Sequence, residues 1–172
     1  MPAIINFAIL PLVGAVDTAF VGQMGDALAL AGQGAANQVF SSTFWIISFL
    51  PSVVTPLVAQ AVGSGDQAEV QDRVGEAVFL GLILGLIGTF FLGNFPDKAL
   101  SAVLPADAPA MKYAQPYLAI RALTFIPAIL STVGFSCFRG SMDVVTPLKI
   151  SLLSNIVNVL LDPIFIFRGG MG

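Results

Sequence analysis

The sequence contains no histidine and a single cysteine, Cys137. Structural and catalytic zinc and haem are held mainly by those two residue types, so no metal centre of that kind is expected. One thiol cannot close an intrachain disulfide, and Cys137 sits in an apolar run where it reads as packing. Charge is scarce as well. Asp, Glu, Lys and Arg together make up 10% of the chain, whereas a soluble domain carries about a quarter. So few charges cannot cover the surface of a water-soluble globule of 172 residues. Basic runs are missing, which removes nucleic acid from the expected partners. Segments of about ten residues that alternate apolar and polar, the mark of a transmembrane β-barrel, are missing too. No Asn-x-Ser/Thr acceptor occurs, so glycosylation gives no clue to topology.

What remains is apolar. Hydrophobic residues make up 56% of the chain and the mean hydropathy is +0.91. Several runs reach the roughly 20 residues that a spanning helix needs. The expected class is an all-α, multi-pass integral membrane protein that lives in a lipid bilayer and is not an enzyme. Five spans are predicted, at about 1–24, 34–62, 77–95, 113–138 and 147–167. Pro11 should kink the first, because it removes a backbone donor in mid-helix. Pro51 and Pro56 interrupt the second, with Ser48, Ser52 and Thr55 placed to satisfy the freed carbonyls. The polar stretch 66–76 is expected to lie at the interface as a short amphipathic helix. Gly81, Gly85 and Gly88 form a small-residue face on the third span that lets another helix come close. Arg121, inside the fourth span, is expected to snorkel to the interface. Thr146 is expected to cap the fifth helix, with Pro147 at its first turn. Loop charges divide three against three (Arg73, Arg139 and Lys149; Lys98, Lys112 and Arg168), so they set no orientation. The first span begins at Met1 with no basic leader and the last stops a few residues before Gly172; both ends read as cut.

The fifth span carries the chemistry. Ser151, Asn155, Asn158 and Asp162 step by 4, 3 and 4 residues, which places them on one helical face. Leu152, Ile156, Val159 and Leu160 occupy the other. An ionisable group in the middle of a span costs about 2.5–3.5 kcal/mol on insertion scales, so it usually faces a cavity or a partner and serves function. The asparagines alone are equally readable as hydrogen-bonding glue between helices. A second acid, Asp17, lies in the first span, which runs the same way across the membrane. Asp17 precedes Gly25 by eight residues and Asp162 precedes Gly169 by seven. At 1.5 Å per residue both acids lie roughly 10–12 Å inside the same membrane face. Desolvation and a neighbouring carboxylate both disfavour the charged form, so such a pair suits proton loading and release. Ionised, the two acids with Asn155 and Asn158 suit Na⁺ or an organic cation instead. Pro163 frees the carbonyl of Val159 as a further oxygen ligand, the broken-helix arrangement of secondary transporters. No firm metal site and no cofactor are expected beyond a coupling ion, H⁺ or Na⁺.

Three stretches resemble one family: Val16-Asp-Thr-Ala-Phe-Val-Gly-Gln-Met-Gly25, Phe138-Arg-Gly-Ser-Met-Asp-Val-Val-Thr-Pro147, and Asn155-Ile-Val-Asn-Val-Leu-Leu-Asp-Pro-Ile-Phe165. They resemble the multidrug and toxic compound extrusion (MATE) transporters, nearest the branch named for a DNA-damage-inducible bacterial member. Pro2, fifteen residues before Asp17, also matches the first helix of that family. The resemblance implies a twelve-helix antiporter of two six-helix lobes, exporting organic cations, drugs or organic acids in exchange for H⁺ or Na⁺. It implies that Asp17 and Asp162 are acids of the N-terminal lobe and that Asn158 is their polar partner. It further implies that this chain is part of that lobe, with the sixth span and the whole C-terminal lobe missing. Some cation-coupled members carry asparagines in the fourth helix, where this chain has Ser131, Thr132 and Phe135, which leaves the coupling ion open. Two other readings compete. A lipid-linked oligosaccharide flippase of the same superfamily needs basic residues for pyrophosphate, and Arg121 is the one intramembrane base. A non-transporting, truncated membrane protein is the other.

Overall fold

Three helices begin with the same device. Asp26, Asp66 and Asp143 each accept backbone N–H bonds from the residues two and three positions on: Leu28 and Ala29, Ala68 and Glu69, Val145 and Thr146, all between 2.9 and 3.3 Å. An aspartate so placed satisfies donors that a helix start leaves without partners. The structure, a computed structural model, describes Ala15, residues 26–47 and residues 49–163, without the side chains of Val159, Asp162 and Pro163. All regular structure among the described residues is helical. In chain order the helices are α1 (Ala27–Ile47), α2 (Phe49–Ser64), α3 (Gln67–Asn94), α4 (Pro96–Leu100), α5 (Met111–Ala122), α6 (Phe125–Gly140) and α7 (Val145–Pro163).

Two stretches are long and apolar enough to cross a membrane: Ala27–Ser64, which takes in α1 and α2, and α3. Helices α5 and α6 together form a third candidate, bent by 50° between them. A single fourth helix was the expectation from sequence. Pro127 accounts for the bend, because it offers no N–H to the carbonyl of Leu123 and its ring crowds that carbonyl. The Thr124 hydroxyl turns back to Arg121 O at 2.7 Å and steadies the break.

Helix α3 differs from expectation at its start. Residues 67–76 do not form a separate interfacial helix but are the first turns of α3 itself. Asp66 caps them, and Arg73 pairs with Glu69 and Glu76 at 3.8 and 3.0 Å along one face. The cap of α7 is also corrected: Asp143, not Thr146, holds its first amides. In α2 the Ser52 and Thr55 hydroxyls do not reach the carbonyls freed by proline, and Ser48 lies outside the described residues. Ser52 donates to Phe49 O and Thr55 to Pro51 O, whereas Pro56 frees the carbonyl of Ser52 and Pro51 that of Ile47.

The chain divides into two compact units, Met1–Leu30 with Asp143–Gly172, and Ala31–Met142. In the second unit α3 and α6 pack along the glycine face. Gly81, Gly85 and Gly88 are buried there, and a Cβ on Gly85 would lie 3.1 Å from the Ile126 Cα. Phe125, Leu92, Leu118, Val58 and Val133 are fully buried around this seam. Phe40 and Phe44 of α1 meet the Phe125 ring edge-on at 5.2 and 6.0 Å. Phe79, Ile87 and Phe90 of α3 face outward and are exposed, as side chains bathed in lipid would be.

Candidate functional site

Helix α7 is the element that carries the polar stripe. It has no break from Val145 to Pro163, so Ser151, Asn155, Asn158 and Asp162 do share one face of a continuous helix. Ser151 and Asn155 are half-buried, whereas Leu153, Ile156 and Leu160 are exposed. Leucine and isoleucine side chains are therefore turned outward here while Ser151 and Asn155 are partly sheltered, the reverse of a helix on a soluble protein. Asn158 is exposed. The Asn155 amide nitrogen is withdrawn from solvent and has no hydrogen-bond partner among the described residues. A buried amide donor left in that condition costs about 1–3 kcal/mol. Asp17 and Pro11 lie outside the described residues. Asp162 and Pro163 close the last turn of α7, but their side chains lie outside them too. No group of three or more Asp, Glu, His or Cys side chains suited to a metal ion occurs among the described residues.

The stretch Phe138–Pro147 builds a junction. Ser136, fully buried, donates to Thr132 O at 2.8 Å and accepts from Arg139 Nη2 at 2.8 Å. Thr55 of α2 reaches the Ser136 carbonyl at 3.4 Å. Gly140 lies so close to α2 that a Cβ would stand 2.8 Å from Thr55 O. Met142 then turns the chain at φ 63°, and Asp143 caps α7. Arg139, Gly140, Met142 and Asp143 thus have mechanical tasks in this stretch.

Arg121 occupies a different setting from the one expected. Its guanidinium lies over the Phe40 ring, 4.7 Å from the centroid, and 6.0 Å from that of Tyr117. Nη1 donates to the Tyr117 hydroxyl at 3.4 Å, and Tyr117 in turn donates to Asn37 Oδ1 at 3.5 Å. Arg121, Phe40, Ser41, Phe44, Trp45 and Ala128 line a cleft of about 260 Å³. Sequence reading missed this cleft. The signal that pointed to it was the intramembrane arginine itself, but Phe40, which covers it, and Asn37, 80 residues before Tyr117, both come from α1.

The MatE family model matches residues 2–164 of the chain. Protein DETOXIFICATION 44, chloroplastic, of Arabidopsis thaliana is 32% identical over the whole chain, which covers 35% of that relative. DNA damage-inducible protein F of Escherichia coli is 26% identical over 94% of the chain and 35% of its own length. A MATE protein solved in a bent conformation superposes on the entire chain with a TM-score of 0.88 at 23% identity, and the chain covers 38% of it. Across the first curated relatives the chain spans between 35% and 44% of their length.

Proposed function

The chain belongs to the MatE family, and from that premise we propose that it serves as the N-terminal lobe of a secondary antiporter. It is an integral, multi-pass membrane protein, as the members of that family are. The reading is that the whole transporter exports organic cations, drugs or organic acids in exchange for H⁺ or Na⁺. Asp17, Asp162, Asn158 and Asn155 are the proposed coupling and substrate-cavity residues, with the backbone loosened near them by Pro11 and Pro163. The supporting observation is Asn155. Its amide nitrogen is shielded and unpartnered among the described residues, on the same face of α7 as Asp162. A donor held in that state suits a site that is completed by something else, such as a carboxylate, a water or a transported molecule.

The chemistry asked of these residues is modest. A carboxylate pair inside the membrane exchanges a proton or Na⁺ for a cationic substrate, because it cannot remain doubly charged without a counter-ion. The asparagines orient the occupant through their carbonyl and amide groups. No cofactor is involved. The test is transport by the full-length protein in proteoliposomes under an imposed pH or Na⁺ gradient, followed with a cationic dye. Asp17→Asn and Asp162→Asn are each expected to abolish gradient-driven efflux. Undiminished efflux in both variants would refute the carboxylate mechanism.

A further inference from the structure

We propose that the Arg121 cleft is an oxyanion site, which takes a carboxylate or phosphate group carried on an apolar or aromatic body. The proposal is independent of the transport reading above, since binding is expected whether or not Asp17 and Asp162 couple to an ion. Arg121 carries a permanent charge, and the ion pairs found among the described residues are those of Arg73. Its surroundings are instead aromatic. The Phe40 ring covers the guanidinium at 4.7 Å, which stabilises the cation through its face but offers no acceptor in the plane of the fork.

Five N–H groups radiate in that plane. One is directed to the Tyr117 hydroxyl at 3.4 Å, whose own proton goes to Asn37. The Arg121 Nε is withdrawn from solvent and has no acceptor among the described residues. An arginine that merely covered apolar surface with its stem would keep its head in water. Here the Nε is shielded and the guanidinium lies over the Phe40 ring, at the wall of a cleft of about 260 Å³. A planar oxyanion meets a guanidinium edge-on and fills two donors at once. Phe44 and Trp45 supply apolar walls for the body attached to it. A cleft of this volume lies just under the range of drug-sized sites, so a compact aromatic acid fits its chemistry, and an organic cation is repelled by the same charge.

Trp45 is the only tryptophan of the chain and lines the cleft, so its fluorescence reports occupancy. The purified full chain in phosphatidylcholine nanodiscs is titrated with 4-nitrobenzoate, a quencher, and with its neutral methyl ester. Saturable quenching is expected from the acid, at a concentration at least tenfold below that of the ester. Arg121→Gln should remove that advantage. Arg121→Lys, which keeps the charge and loses the fork, should fall between the two. Equal quenching by acid and ester in the unaltered protein overturns the proposal without appeal to any variant, and an unchanged advantage in Arg121→Gln overturns it as well. Nanodiscs with added phosphatidylglycerol separate the sources. A weakening of the acid's curve that Arg121→Gln abolishes supports the site with lipid phosphate as its occupant; an unmoved curve supports it with a soluble carboxylate.

Discussion

Gly88 of α3 stands directly against the ring of Phe125 in α6. A methyl group added at Gly88 would run into Cδ1 and Cε1 of that ring. Phe125 is fully buried and already wedged against Phe40 and Phe44, so it cannot swing aside without disturbing α1. Gly88→Ala is therefore expected to cost about 1–3 kcal/mol, the usual price of overpacking. Gly75 in the same helix is exposed, with nothing within 4 Å of a Cβ placed there. Gly75→Ala should gain about 0.5–1 kcal/mol from helix propensity. Thermal unfolding in detergent should move in opposite directions for the two variants; shifts of the same sign would refute the packing account of the α3 seam.

Met142 holds a backbone conformation that suits glycine. Its φ is 63°, and its N–H reaches Arg139 O at 3.1 Å to close the end of α6. Left-handed backbone costs a side-chain-bearing residue about 1–2 kcal/mol. The side chain gives little back, since the residue is 85% exposed. Met142→Gly is expected to stabilise the protein by about 1 kcal/mol, less the greater freedom of glycine in the unfolded chain. Loss of stability on that substitution would show that the side chain, and not the backbone, matters at this turn.

Asp143 makes the start of α7 sensitive to acid. Hydrogen bonding from the Thr146 side chain, then from the Thr146 and Val145 amides, with Lys149 contributing at longer range, holds its carboxyl below the usual aspartate range. A carboxylate with a depressed folded value contributes stability that is complete above its unfolded value, about 3.9, and lost as pH falls through the folded one. The first turn of α7 should therefore fray only on acidification below about pH 4. Hydrogen exchange at the Val145 and Thr146 amides is the measurement. Asp143→Ala should expose both amides at neutral pH, whereas Asp143→Asn keeps an acceptor and should remove the acid sensitivity. Protection in Asp143→Ala equal to that of the unaltered protein would refute the cap.

The class of this fold was legible from scarcity. With so little charge and so many long apolar runs, no soluble arrangement was open. The glycine face was legible because the spacing of Gly81, Gly85 and Gly88 describes one side of a helix before any partner is known. Other features depended on energies that a linear pattern does not carry. Residues 67–76 read as a separate interfacial helix because they are polar, yet with the Asp66 cap and the Arg73 pairs they run straight on into α3. Pro127 was visible, but whether a proline bends a span depends on what its neighbours can hold straight. The polar stripe of α7 followed from period alone, and the helix keeps it. The setting of Arg121 was hidden, because Phe40 and Asn37 reach it from a helix far earlier in the chain. Whether Asp17 and Asp162 are neighbours rests on which helices touch, and periodicity says nothing of that.

Asn155 separates a functional stripe from a structural one. Were it hydrogen-bonding glue, its removal would break a bond and lower stability by about 0.6–2 kcal/mol. Its amide nitrogen instead has no partner among the described residues while shielded from solvent, so they carry the cost of the group without its bond. Replacing it with leucine removes the orphaned donor and keeps a side chain of similar size. Asn155→Leu is expected to leave thermal stability unchanged or raise it by about 1 kcal/mol, while gradient-driven efflux by the full-length transporter falls at least tenfold. Stability and transport thus part company at this position. If both fall together, Asn155 is a structural contact and the proposed coupling site loses one of its members; if neither changes, the stripe does not line a transport path.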